Sequence, residues 1–184
     1  MKNSILVLFI AFIFQSCYEN QQPKAKSFLA LEYPVANYKR VDFQNNFSSE
    51  INDRSHLSFS QSGWSRLAYP RLKAVVNITY RKVDGNLKEL FQEAEKLTFS
   101  HTSKADAISA IPFENRQNKT YGKLFEVSGN AASNIQFHLT DSTEHFMTGS
   151  LYFQVQPNFD SIEPALDYIR KDIVILMEQL EWSQ

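Results

Sequence analysis

His138, Asp141 and His145 stand close together in this chain. Two imidazoles and a carboxylate can bind zinc, and an imidazole can also move protons near neutral pH. The spacing matches no recognised metal motif. The segment reads as a hairpin, with Asp141-Ser142-Thr143 as its turn and the histidines on the strands beside it. A second cluster, His101, Lys104 and Asp106, follows a predicted helix. There His101 falls back on the apolar stripe begun at Leu87, and a cation at a helix C-terminus also complements the dipole. Packing or capping therefore accounts for these side chains. Ser128-Gly129-Asn130 and Thr148-Gly149-Ser150 place hydroxyls beside glycine, but neither forms the Gly-x-Ser-x-Gly elbow. The chain has five glycines, which leaves little room for a phosphate-cradling loop. The residues thus predict no catalytic residue, no metal and no cofactor. An envelope hydrolase using His101 or the His138/His145 pair is the alternative chemistry.

The remaining reactive side chain is Cys17, the single cysteine. Lys2 gives a positive start, and Ile5 to Phe14 is an unbroken apolar run ending at Gln15-Ser16-Cys17. That run is shorter than the roughly 20 residues a spanning helix needs and fits a signal-peptide core. A cysteine after a small residue at its end reads as a bacterial lipoprotein cleavage site. Phe14 and Gln15 depart from the usual lipobox, while Ser16 fits it. Residues 1–16 are expected to be removed as a signal peptide and Cys17 to carry the lipid. More than one acyl chain gives stable anchoring. Residues 17–27 read as the lipidated N-terminus and a polar tether, and 28–184 as a single domain.

Composition supports a packed core without staples. Hydrophobic residues make up 43% and phenylalanine occurs 15 times, so burial is available to hold the fold. With Cys17 committed to lipid, no disulfide can form within the mature chain. The net charge is −1, which predicts no nucleic-acid footprint.

The elements that must position these residues follow from periodicity. Phe28 to Tyr33 reads as a first strand. Phe47–Ile51, Leu57–Ser60 and Trp64–Tyr69 are short strand-like pieces between turn residues. Lys73 to Val83 alternates as a strand and ends at Asp84-Gly85. Asn86, with Glu89 as capping-box partner, starts a helix running to about Ser103, whose face is Leu87, Leu90, Phe91, Ala94, Leu97 and Thr98. Ala107–Pro112, Tyr121–Ser128, Asn134–Thr140 and His145–Gln156 are the next strands. Ser161 or Asp160 is expected to cap the last helix, with Pro164 in its first turn and a stripe of Ile162, Leu166, Ile169, Ile173, Leu176 or Met177, and Leu180. Hairpins followed by helices that bury one stripe make an α+β fold: an antiparallel sheet with two packed helices. The order resembles a PsbP-like sandwich. Tyr69-Pro70-Arg71 and Leu151-Tyr152-Phe153 are candidates for an interaction surface, although most aromatics belong in the core.

Four segments carry a more specific resemblance: LTFSHTSKAD (97–106), FEVSGNAAS (125–133), LTDSTEHFMTGSLYF (139–153) and the terminal LEW (180–182). Together they resemble the gliding-motility lipoprotein GldD family over most of residues 28–182. The resemblance implies an envelope lipoprotein required for surface gliding and tied to the type IX secretion and motility machinery. It implies no enzymatic reaction. It also implies cysteines near Asn46 and Gly63 in relatives, and this chain has neither. Asp141-Ser142-Thr143 and Asp160-Ser161-Ile162 resemble an O-glycosylation sequon used in such bacteria, although a turn and a helix cap explain them equally. The expected protein is a lipid-anchored accessory factor facing the periplasm, binding machinery proteins and no nucleic acid. A small-ligand-binding lipoprotein with a pocket between sheet and helices is the other alternative.

Overall fold

The computed structural model describes residues 28–30, 32–44, 46–60, 64–100, 105–155 and 158–183. Cys17, His101 and Lys104 lie outside them.

Two antiparallel sheets carry the fold. The larger has seven strands: β3 (His56–Phe59), β4 (Trp64–Tyr69), β5 (Ala74–Lys82), β6 (Ala105–Asn115), β7 (Thr120–Gly129), β8 (Ser133–Thr140) and β9 (His145–Phe153). Their spatial order is β3-β4-β5-β9-β8-β7-β6. The smaller sheet joins β1 (Tyr38–Asp42), β2 (Phe47–Asn52) and β10 (Glu181–Trp182), with β2 central. Helix α1 spans Leu87–Ser100 and α2 spans Phe159–Glu178. This is the expected α+β class with antiparallel strands and two helices.

The two helices take opposite faces of the large sheet. Strand β8 is buried on both sides along its whole length. One face carries Ile135, Phe137 and Leu139, which join Val76, Met147 and Leu151 in the main core with α2 residues Ile169, Ile173 and Leu176. The other carries Gln136 and His138 under α1. There Leu90 packs with Val83 and Phe146 in a smaller cluster. The small sheet docks on α2 as well, where Ser49 Oγ donates to the Leu176 carbonyl at 2.6 Å.

Several boundaries differ from the sequence reading. The described residues of Phe28–Tyr33 form no strand; instead Leu29 N–H donates to the Ser161 carbonyl at 3.0 Å. An extended segment needs a partner ladder, and this one meets a helix start. Helix α2 begins at Phe159 with Asn158 at the N-cap position, so neither Ser161 nor Asp160 caps it. The Phe159 N–H is satisfied from a distance by Asn130 Oδ1 at 2.9 Å, out of the β7–β8 turn. Pro164 lies inside the helix, beyond the first turn. Asn86 precedes α1, but its side chain accepts from Asp84 N–H at 3.0 Å rather than from the helix.

Candidate functional site

Register decides whether the two histidines meet. On the β8–β9 ladder His138 pairs with Thr148, and on the β5–β9 ladder His145 pairs with Lys82. His138 points under α1, and His145 points to the opposite face. Neighbouring strand positions alternate faces, so an odd offset across the hairpin separates them. They form no joint site.

His138 is 2% exposed and ringed by aromatics. Phe91 lies 5.1 Å away edge-on, Phe125 at 5.7 Å, and Phe146 is stacked at 6.1 Å. Burial, with Lys123 nearby, pushes its imidazole down to about 4. The adjoining cavity, lined by Thr98, Gln136, Thr148 and Ser150, holds about 20 Å³, too little for a substrate. His145 shares a 2.8 Å hydrogen bond with the Tyr80 hydroxyl and stacks on Trp182 at 5.1 Å. The terminal Leu-Glu-Trp thus closes the core: Leu180 is fully buried and Trp182 pairs with Phe47.

Asp141 stays in its own turn. Its Oδ1 accepts from the N–H groups of Thr143, Glu144 and His145 at 2.8–3.0 Å, and Oδ2 from the Thr143 hydroxyl at 2.7 Å. Burial raises its pKa, but these bonds outweigh it and bring it down to about 2. Among the described residues no three His, Cys, Asp or Glu side chains converge as metal ligands. Among the described residues the Ser128 hydroxyl reaches the Ala107 carbonyl, at 3.4 Å.

The polar centre of the molecule lies elsewhere, around Asp172. This carboxylate sits on the apolar stripe of α2 and is 2% exposed. Tyr38 of β1 donates to Oδ1 at 2.8 Å, and Asn52 of β2 donates to Oδ2 at 2.9 Å. The same Asn52 amide reaches the Tyr168 hydroxyl at 3.0 Å, while its Oδ1 accepts from Arg54 N–H at 3.0 Å. Burial, with the Asp172 charge beside it, holds the Tyr69 phenol protonated, though no hydrogen bond of good geometry joins its hydroxyl to that carboxylate. Burial raises the pKa of Asp172, opposed by the bonds from Asn52 and Tyr38. Both oxygens are occupied by fixed donors, so the group braces β1 and β2 on α2 rather than shuttling protons.

A cavity of about 390 Å³ adjoins this cluster, lined by Tyr33, Asn52, Tyr69, Tyr168 and the Pro70–Leu72 turn, with Arg54 and Arg71 among its walls. Tyr69-Pro70-Arg71, expected on an interaction surface, is partly here: Tyr69 is buried, Arg71 exposed. Of Leu151-Tyr152-Phe153, Leu151 belongs to the core. The sequence reading missed Asp172, Asn52, Tyr38 and Tyr168. One signal for Asp172 was available: an acid one turn from both Ile169 and Leu176 interrupts an apolar stripe, and acids are almost never fully buried unless partnered.

Fold and site together define a small α+β sandwich whose central carboxylate is structural and whose tyrosine-lined cavity opens beside it. The sequence profile described as Gliding motility lipoprotein GldD matches residues 18–182, and the chain belongs to that family. Membership implies a role in gliding motility and anchoring to a membrane of the cell envelope. No match was found among curated proteins. Among solved structures, the solution structure of cyanobacterial PsbP (CyanoP) from Synechocystis sp. PCC 6803 is similar at 5% identity, with a TM-score of 0.49. That match covers 83% of this chain and 96% of the other. Among the described residues no helix is long and apolar enough to cross a membrane.

Proposed function

We propose that this chain is a periplasm-facing accessory lipoprotein, anchored through Cys17, that serves gliding motility by binding proteins of the type IX secretion and motility machinery rather than by catalysis. In this reading residues 1–16 are cleaved, 17–27 form the lipidated tether and 28–184 form the working domain. The family match over residues 18–182 carries it. Support for binding comes from the outer part of the large sheet. Trp64 is 58% exposed there, and register puts His56, Arg66 and Asn77 on the same face. Aromatic and arginine side chains on an open face suit protein contact.

The test is a Cys17→Ser variant in gliding cells. An unprocessed precursor and lost colony spreading are expected; normal processing with membrane retention would refute the anchor. Trp64→Ser at matched abundance should reduce spreading without lowering stability. Undiminished spreading would remove that face from the binding surface.

A further inference from the structure

The cavity beside Asp172 has no part in the reading above. At about 390 Å³ it falls in the size range of small-molecule sites, roughly 300–1,000 Å³. Tyr33, Tyr69 and Tyr168 give it aromatic walls, and the Tyr33 and Tyr168 rings lie 5.6 Å apart, tilted to one another.

Its charged residues are distinctive. Arg40, Arg81, Arg116 and Arg170 each pair with a carboxylate. Arg54, Arg66 and Arg71 form no ion pair among the described residues, and two of these three, Arg54 and Arg71, both exposed, line this cavity. The backbone that carries them is fixed. Arg54 N–H is held by Asn52 Oδ1, and Asn52 is held by Asp172. Arg71 sits in a single helical turn that follows Tyr69, closed by Lys73 N–H on the Pro70 carbonyl at 3.2 Å. Lys73 there is left-handed, at φ 46°. Rigid carriers lower the ordering cost of binding.

Glu32 also lines the cavity, so its lining residues include one acid and two arginines. Asp172 does not line it, and both its oxygens are already filled. The balance leaves room for one negative charge. The Tyr33 and Tyr69 hydroxyls are buried in the surrounding structure, Tyr69 beside the Asp172 carboxylate and Tyr33 beside the Ala30 backbone.

We infer that this cavity binds a small organic monoanion, with a ring or compact apolar body among Tyr33, Tyr69 and Tyr168 and a carboxylate held by Arg54 and Arg71. A planar guanidinium matches a carboxylate in bidentate fashion, and a monoanion fits the charge balance better than a phosphate dianion. The site does not depend on the protein-binding reading, and each can fail alone.

The experiment titrates 1-naphthoate, and neutral 1-naphthylmethanol as its control, into the full-length chain purified in maltoside detergent, read by calorimetry. Naphthoate should saturate a single site and bind at least about tenfold tighter than the alcohol. The double variant Arg54→Ala/Arg71→Ala should weaken naphthoate by at least about tenfold and leave the alcohol unchanged. Both side chains are exposed, so an unchanged urea midpoint is expected. Ala30→Trp, which keeps both arginines but fills the cavity, should abolish naphthoate binding. Failure of wild type to bind saturably, equal binding of acid and alcohol, or naphthoate binding that survives either variant would overturn the inference.

Discussion

Asn52 Nδ2 lies 2.9 Å from Asp172 Oδ2, a bond between residues 120 positions apart. It ties the central strand of the small sheet to the middle of α2. The amide spends both hydrogens, one on Asp172 and one on Tyr168, and its oxygen on the Arg54 N–H. Few side chains of this molecule join so many separate elements.

Asn52→Ala should therefore cost about 1.5–3 kcal/mol, the range for a hydrogen bond to a charged group. Urea denaturation at neutral pH measures it. A loss below about 0.5 kcal/mol, the scale of ordinary surface substitutions, would mean the brace is not formed.

The pH dependence of Asp172 has a definite sign. Burial raises its folded pKa above the ordinary 3.8, so the folded chain holds this proton more tightly than the unfolded one. That contribution is fully present below the unfolded value and is lost as pH rises through the raised folded value. Asp172→Asn removes it. The stability gap between wild type and Asp172→Asn should narrow as pH rises, read from denaturation curves in a pH series. A gap that widens with pH would reverse the assignment.

His138 acts in the opposite sense. Its folded pKa is lowered from 6.5 to about 4. The unfolded chain binds this proton more readily, so its contribution is present above 6.5 and is lost as pH falls through about 4. His138→Gln should flatten that part of the stability curve. It should also keep colony spreading at matched abundance, as should His145→Gln, because each ring is packed in structure. A stable variant that cannot spread would return catalysis or metal binding to consideration.

Gly149 of β9 sits directly against the Phe137 ring of β8. A Cβ there would stand 2.1 Å from the Phe137 ring. Gly149→Ala should cost about 1–3 kcal/mol by overpacking. Phe137→Leu in the same chain should recover part of it, so the double variant loses less than the sum. Strict additivity would mean the ring can move aside freely.

Leu90 and Ile173 are each 1% exposed, one on the buried face of each helix. Change of either to Ala should cost about 2–5 kcal/mol. Ile173 should cost more, because it sits in the main core while Leu90 belongs to the small cluster. Lower abundance in cells should be the first sign.

The sequence by itself determined the elements whose signals are local. The α2 stripe from Ile162 to Met177 is buried as its spacing requires, and Leu180, expected on that stripe, is buried just beyond the helix end. The short pieces at Phe47, Leu57 and Trp64 became β2, β3 and β4, the turn at Asp84-Gly85 lies between elements, and Gly129 ends β7 with Asn130 starting the turn after it. Each depends on periodicity or turn chemistry within a few residues. Strands β1 and β10 escaped notice because they are short and mostly polar, and they exist by pairing with β2. Phe28–Tyr33 has strand-like residues, but those of it that are described join no ladder. His138 and His145 looked like neighbours, yet an odd offset across the β8–β9 ladder puts them on opposite faces, and only strand pairing fixes that register. The Asp172 brace gathers Tyr38, Asn52, Tyr69 and Tyr168 from far along the chain. A carboxylate on an apolar face is legible in one dimension. The donors that make its burial tolerable are brought together only by tertiary packing, because hydrogen bonds act over about 3 Å of space rather than along the sequence.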